Sequence, residues 1–170
     1  MPDKQQTLVV IKPDGLAKSL TGNIITRLSE AKLRIIAAKV LIVPREMAEK
    51  HYEHLKGQKF FNSVIEYMCG ELHGDKHSRV LAMVYQGIDS IAKVRALAGA
   101  TNPELADPTS IRGQYGRITT TGIFENVLHC SDSPESAEKE IKLWFEPKEI
   151  LENLYPVEKI TVQIEKTVWK

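Results

Sequence analysis

The sequence predicts an α+β fold, a ferredoxin-like α/β plait in which a four-stranded antiparallel sheet is covered on one face by helices. Short β-branched apolar runs alternate with stretches whose apolar residues recur at helical spacing. The order strand, helix, strand, helices, strand, helix, strand, helix fits such a plait. With 170 residues, 42% of them apolar, the chain fills one hydrophobic core but not two, so a single domain over 1–170 is expected. A doubly wound parallel sheet is the competing topology, because alternating elements alone do not separate the two.

Residues 7–11, Thr-Leu-Val-Val-Ile, have the composition of a buried strand, delivered into the turn residues Lys12-Pro13-Asp14-Gly15. Ile24, Ile25, Leu28 and Ala31 mark a helix, and residues 33–43 read as a strand closed by Pro44. Ala48, Tyr52 and Leu55 share one helical stripe, and Phe61, Val64, Ile65 and Met68 share the next. A polar stretch at 70–78 then separates these helices from a strand at 80–85. Ile91, Val94 and Leu97 or Ala98 mark a helix ending at Gly99, a residue suited to a C-cap.

Residues 100–122 hold two prolines, three glycines and no sustained period, so they read as an unusually long loop, the kind that is functional or disordered. A strand at 123–128 leads to His129. Ser133 and Pro134 then suit the start of a helix whose apolar face is Ala137, Ile141, Trp144 and Phe145. The alternation from Ile160 predicts a C-terminal edge strand at 160–168.

Charge narrows the partners. Lysine and arginine total 23 against 22 acidic residues, so no overall field favours nucleic acid or a membrane surface. Any phosphate binding must come from local placement of cations. Cys69 and Cys130 lack metal-ligand spacing, the first residues do not resemble a signal peptide, and no run is long enough to span a membrane. A cytoplasmic location is expected.

Neither a Walker-type loop nor a Gly-x-Gly-x-x-Gly turn is present. Three other segments could carry phosphate chemistry: Lys12 at a strand end, Arg112 in the long loop, and His129 between a strand and a capped helix. A lone histidine there is more often structural. Glu140 changes the balance, because it falls on the apolar side of its helix, and an inward glutamate costs stability without a partner. His129 is the expected partner, directly or through the Ser131 hydroxyl, with one ring nitrogen kept protonated and the other presenting its lone pair. The alternative is that Glu140 sits at the stripe edge and reaches water. Lys12 reads equally well as a solvated strand end, and Arg95, near Lys93, as an exposed cation. Arg112 has the best local case, since Gly113 allows close backbone approach to a ligand. Tyr52 and Phe60 read more readily as core than as ligand platforms. His51, His54, His73 and His77 lack the His-Glu-x-x-His form, so no protein-held metal is expected.

Taken together, Thr7-Leu-Val-Val-Ile-Lys-Pro-Asp-Gly15, His51-Tyr52, Phe60-Phe61, Gly99-Ala-Thr101-Asn-Pro103, Ile111-Arg112-Gly113 and Asn126-Val-Leu-His129-Cys-Ser131-Asp-Ser133 resemble, in order, the nucleoside diphosphate kinase family. The resemblance covers the chain apart from two insertions and the last dozen or so residues. It implies phosphorylation of His129 in a ping-pong cycle between nucleoside triphosphates and diphosphates, with Glu140 and Ser131 orienting the ring. It implies phosphate contacts from Lys12, Arg95, Thr101 and Arg112, sugar contacts from Asn126 and Lys12, base stacking on Phe60, and support of the nucleophile by Tyr52. Mg2+ is implied as arriving with the nucleotide, and a homo-oligomer, tetramer or hexamer built from dimers, is implied as the assembly.

The sequence departs from the family pattern by extra residues between Met68 and Val80 and between Arg112 and Asn126, and by Cys130, which is expected to be buried and inert. A silent binding domain of the same fold would have lost one of Lys12, Tyr52, Arg95, Arg112, Asn126 or His129, and all are present. A nucleic-acid role finds little support in near-zero charge and 6% aromatic residues.

Overall fold

In a computed structural model that describes residues 4–162 and residue 165, the first half of the chain runs β1 (Lys4–Ile11), α1 (Pro13–Ala17), α2 (Thr21–Ser29), β2 (Arg34–Leu41), α3 (Arg45–His51), α4 (Phe61–Cys69) and β3 (Val80–Ile88). The second half runs α5 (Ser90–Ala98), α6 (Ile111–Tyr115), β4 (Arg117–Ile118), β5 (Phe124–Glu125), β6 (Leu128–Cys130) and α7 (Pro134–Trp144). Four strands form one sheet in the order β2-β3-β1-β6, and every neighbouring pair is antiparallel. The plait expected from the element order is therefore present, and the doubly wound alternative is not.

Helices cover both faces of this sheet rather than one. β1 is buried from Gln6 to Ile11, and its run Leu-Val-Val-Ile does not alternate with polar residues. Leu8 and Val10 pack with Ile65, Met68, Ile141 and Trp144 on one side. Val9 and Ile11 pack with Ile24, Leu28, Val94 and Ala98 on the other. Val10 is the register partner of His129. With a period of two, His129 shares the face of Val10, where α7 lies.

Several elements differ from the pattern reading. α2 ends before Ala31, and Tyr52 caps α3 instead of continuing it, with Leu55 in a separate 3-10 turn. The stretch 70–78 folds as two 3-10 turns, Glu71–His73 and Asp75–His77. The long loop contains a 3-10 turn at Pro103–Leu105, α6 and β4, each too short to show a period. Side chains hold them instead: Asn102 Oδ1 accepts from the Glu104 N–H at 2.9 Å, and Ser110 Oγ accepts from the Gly113 N–H at 3.2 Å.

The strand expected at 123–128 is broken in two. β5 pairs with β4, whereas β6 joins the main sheet with His129 inside it. Between them Val127 has φ +59°, and the Leu128 N–H donates to Asn126 O at 2.7 Å, closing a γ-turn. A β-branched residue is strained there. Two bonds hold it: the Val127 N–H donates to Asp14 Oδ2 at 3.2 Å, and Val127 O accepts from the Lys12 N–H at 2.9 Å. The first turn after β1 and the approach to β6 are thus tied together.

Of the C-terminal edge strand expected at 160–168, residues 160–162 carry no regular structure, and most of the remainder lies outside the described residues. No helix among the described residues is long and apolar enough to cross a membrane.

Next to the γ-turn, Glu125 is 6% exposed and accepts from Lys18 at 3.0 Å, Arg117 at 2.6 Å and the His73 ring at 3.1 Å. Burial works against its charge, but the hydrogen bonds from Arg117, Lys18 and His73 prevail and bring its pKa down to about 2. Since that value lies below the usual 4.5, the stabilisation is complete above pH 4.5 and fades as pH falls towards 2. Discounted for the exposed partners, Glu125→Gln is expected to cost about 1–3 kcal/mol at neutral pH. Urea unfolding of both proteins across acidic pH should show the difference shrinking; a constant gap would place the effect elsewhere.

Candidate active site

One carboxylate oxygen organises the site. Glu140 Oε2 lies 3.0 Å from His129 Nε2 and accepts from Ser131 Oγ at 2.6 Å. Ser131 Oγ also accepts from the Leu8 N–H at 3.1 Å, so the hydroxyl joins β1 to α7. Both routes anticipated from the sequence, direct and through Ser131, are used at once, and Glu140 does not simply reach water. With Nε2 on the carboxylate, Nδ1 is the nitrogen left with the lone pair. Burial, then Lys12 and Arg112, push the His129 pKa well below its usual value, which keeps the imidazole neutral. Burial pushes the Glu140 carboxyl up, with His51 and the Ser131 hydroxyl opposing it.

α7 delivers Glu140 because its start is well specified: Ser133 Oγ accepts from the Ser136 N–H at 3.1 Å, and Pro134 occupies the first turn. Ala137, Ile141 and Trp144 then bury the helix face beside it.

Lys12 is 6% exposed, so it is not a solvated strand end. Its Nζ donates to Asn126 Oδ1 at 2.8 Å and sits 4.9 Å above the Tyr67 ring. Asn126 Nδ2 donates in turn to Thr101 O at 2.8 Å, linking three segments. Arg112 is 4% exposed and donates to Gly99 O at 2.8 Å and Leu128 O at 3.1 Å, while its buried Nε has no hydrogen-bond partner among the described residues. Gly113 serves a different end from the one read in the sequence. A Cβ there would meet Asp107 O at 2.1 Å, so the glycine makes room for the loop itself, not for a ligand. Arg95 is exposed on α5, as its neighbours suggest, but close enough to Asp132 to help lower that carboxyl.

Among the described residues neither Lys12 nor Arg112 pairs with a carboxylate. Burial, then Arg112, bring the Lys12 ammonium down to about 7. A buried lysine whose basicity a buried arginine lowers further is costly unless an anion joins the pair.

Tyr52 and Phe60 part company. Tyr52 is 7% exposed, with a buried hydroxyl that has no hydrogen-bond partner among the described residues, whereas Phe60 is 51% exposed at the start of α4. Phe60 is therefore surface, not core. Cys130 is 3% exposed and burial pushes its thiol up, which fits the inert reading.

The spacing gave no hint of His51. Its ring lies edge to face on His129 with centroids 4.4 Å apart, and its Nδ1 accepts from Trp144 Nε1 at 3.1 Å. His51, His129 and Glu140 bring one ligand-type atom each within 4.8 Å of one another. Glu140 Oε2 already serves two donors, and His51 Nδ1 serves Trp144. Only folding brings His51, Trp144, Asp14 and Val127 to the site.

Ser131→Ala removes a fully buried hydroxyl that serves Leu8 and Glu140. The expected loss is about 1–3 kcal/mol of unfolding free energy. Chemical denaturation checks it, and an unchanged midpoint would mean that water replaces the hydroxyl.

The model of the family described as nucleoside diphosphate kinase matches residues 5–150. A nucleoside diphosphate kinase of Pyrococcus furiosus is 44% identical over 152 residues, 89% of each chain. One of Listeria monocytogenes is 44% identical over 147 residues, covering 86% of this chain and 92% of its own. Among solved structures, a transition-state mimic of the Borrelia burgdorferi nucleoside-diphosphate kinase with bound vanadate and ADP has a TM-score of 0.76 at 34% identity, covering 89% of this chain and 93% of that one. The Aquifex aeolicus nucleoside diphosphate kinase also has a TM-score of 0.76, at 36% identity over 87% of this chain and 99% of that one. With the fold, the order of the motifs and both kinds of relative in agreement, the chain belongs to the nucleoside diphosphate kinase family.

Proposed function

We propose that the phosphoryl group travels on Nδ1 of His129. The chain is a nucleoside diphosphate kinase, moving the γ-phosphate of a nucleoside triphosphate, typically ATP, to a nucleoside diphosphate. The observation that carries the assignment of Nδ1 is the sharing of one Glu140 oxygen by His129 Nε2 and Ser131 Oγ. In the first half-reaction the Nδ1 lone pair attacks the γ-phosphorus, and the bond to the β–γ bridging oxygen breaks as the diphosphate leaves. A terminal oxygen of the second diphosphate then attacks the phosphohistidine, and the P–N bond returns its electrons to Nδ1. The Nε2 proton stays on the Glu140 side throughout.

Lys12, Arg95, Thr101 and Arg112 hold the phosphates, which bring negative charge to the buried cations. Asn126 and Lys12 meet the sugar hydroxyls. Tyr52, whose phenol burial keeps protonated, offers its unpartnered hydroxyl to the nucleophile and the transferred group. Phe60, exposed on the rim, stacks on the base; a ring without base-edge hydrogen bonds accepts purines and pyrimidines alike. Mg2+ would arrive with the nucleotide and, when bound, would supply charge neutralisation at the transferring group. Ile35, Val40 and Ile42 are exposed along the β2 edge of the sheet, which supports a homo-oligomer, tetramer or hexamer built from dimers. The whole chain is read as one such domain, acting in the cytoplasm.

Incubation with Mg·ATP labelled at the γ-phosphate should leave acid-labile, base-stable label on His129 that GDP removes as GTP. His129→Ala should fold, bind nucleotide and carry none; normal turnover by that variant would sink the mechanism.

Lys12 supplies a pH dependence. At about 7 the free site loses its proton near neutrality, whereas bound phosphate favours the charged form. Nucleotide binding should therefore take up a proton above pH 7, and affinity should fall as pH rises through that value. Titration calorimetry in buffers of different ionisation enthalpy measures the uptake, and Lys12→Met should abolish it. Equal heats in all buffers above neutrality would contradict the assignment.

A further inference from the structure

His51 takes no part in the chemistry above, yet its ring lies against the nucleophile. It is 6% exposed, with its centroid 4.4 Å from that of His129 and the planes 81° apart. Trp144 Nε1 lies 3.1 Å from His51 Nδ1, and an indole N–H can only donate. Nδ1 is therefore the acceptor, and the ring proton sits on Nε2, which is buried without a hydrogen-bond partner among the described residues. Protonating Nδ1 would set N–H against N–H and break the Trp144 bond. Burial and then His129 act in the same direction, pushing the His51 pKa well below its usual value.

Such a neighbour matters because Glu140 alone restrains His129 incompletely. Rotation about the Cβ–Cγ bond is soft for a histidine, and that motion swings Nδ1 away from a line of attack. An edge-to-face ring blocks it sterically and favours one angle. The charge on His51 matters as well, since Lys12, His54, His129, Glu140 and Tyr52 are the groups around it. A protonated His51 would add a further cation beside His129 and draw electron density from the Nδ1 lone pair.

We propose that Trp144 and His51 act together as positioning residues for the phosphorylation of His129: Trp144 holds His51 as its neutral Nε2–H tautomer, and His51 fixes the angle of the His129 ring. The inference rests on the reading of His129 as the phosphorylated residue.

Single-turnover phosphorylation of the full chain by γ-labelled Mg·ATP, measured across the acid limb of the pH–rate profile, tests it. Trp144→Phe keeps a ring and removes the N–H, and His51→Phe keeps a ring without either function. Both should phosphorylate about tenfold or more slowly, at unchanged nucleotide Kd. In Trp144→Phe the acid limb should also move to higher pH, because the freed Nδ1 lone pair now takes a proton. His51→Gln, which can accept from Trp144 but has no ring to set against His129, should stay slow, which separates the anchor from the ring. Nitrogen NMR of the unaltered protein should place the His51 proton on Nε2, a readout that requires no variant to fold. Wild-type rates in both phenylalanine variants, an unmoved acid limb in Trp144→Phe, or a proton on Nδ1 would overturn the proposal. Unlabelled wild type would remove the reading of His129 and this inference with it, whereas labelled wild type with unaffected variants removes the inference alone.

Discussion

The shared oxygen of Glu140 is the constraint on which the site depends. It receives His129 from the edge strand of the sheet and Ser131 from the residue just past it, and Ser131 is bonded in turn to the central strand. A helix, an edge strand and the middle of the sheet are thereby held to one point. The arrangement is stable because a carboxylate buried against an apolar helix face must collect donors. It is useful because the same donors fix which nitrogen of His129 keeps its lone pair. Structural satisfaction and chemical polarity come from one set of bonds.

The other half of the site is deliberately unsatisfied. Among the described residues Lys12 and Arg112 are buried, donate to neutral oxygens and form no ion pair with a carboxylate, and the Tyr52 hydroxyl and Arg112 Nε have no hydrogen-bond partner. Elsewhere, buried Glu125 gathers three donors and Asp14 holds the strained turn. The contrast is between polar groups that serve the fold and polar groups that await an anion. In the proposed function a triphosphate supplies that charge, and because donor and acceptor nucleotides carry the same phosphates, one set of cations can serve both halves of a ping-pong cycle.

Much of this was legible in the chain, and the remainder failed for physical reasons. α7 could be read from its cap, its proline and its apolar stripe, and Glu140 could be placed because an inward glutamate demands a partner. β1 could be read as buried, but its unbroken apolar run already implied cover on both faces, which the element order obscured. The long loop looked structureless because α6 and β4 are shorter than any detectable period and are held by side-chain caps. Lys12 and Phe60 were misplaced by local rules, since burial of a strand-end lysine and exposure of a helix-start phenylalanine are decided by what packs from elsewhere. His51 could be read as part of a motif but not placed beside His129, for its contacts are with a ring and an indole that are distant in sequence.

The deviations from ordinary protein chemistry gather in one place. Val127 in a positive-φ γ-turn, a lysine brought down to about 7, a histidine wedged between an indole and a second imidazole, and an orphaned phenol all lie around the Lys12–Asn126–His129 region. Each would be costly alone, and such features persist only where the surroundings over-determine them. Here the surroundings are the satisfied parts: the capped α7, the Asp14 and Lys12 bonds to either side of Val127, and a sheet packed on both faces. The rigidity of the plait thus has a direct chemical consequence. It holds Glu140, His129, Lys12 and Arg112 in fixed positions, so that in the proposed reaction the phosphates meet groups already in place, with little left to reorganise when the phosphoryl group moves.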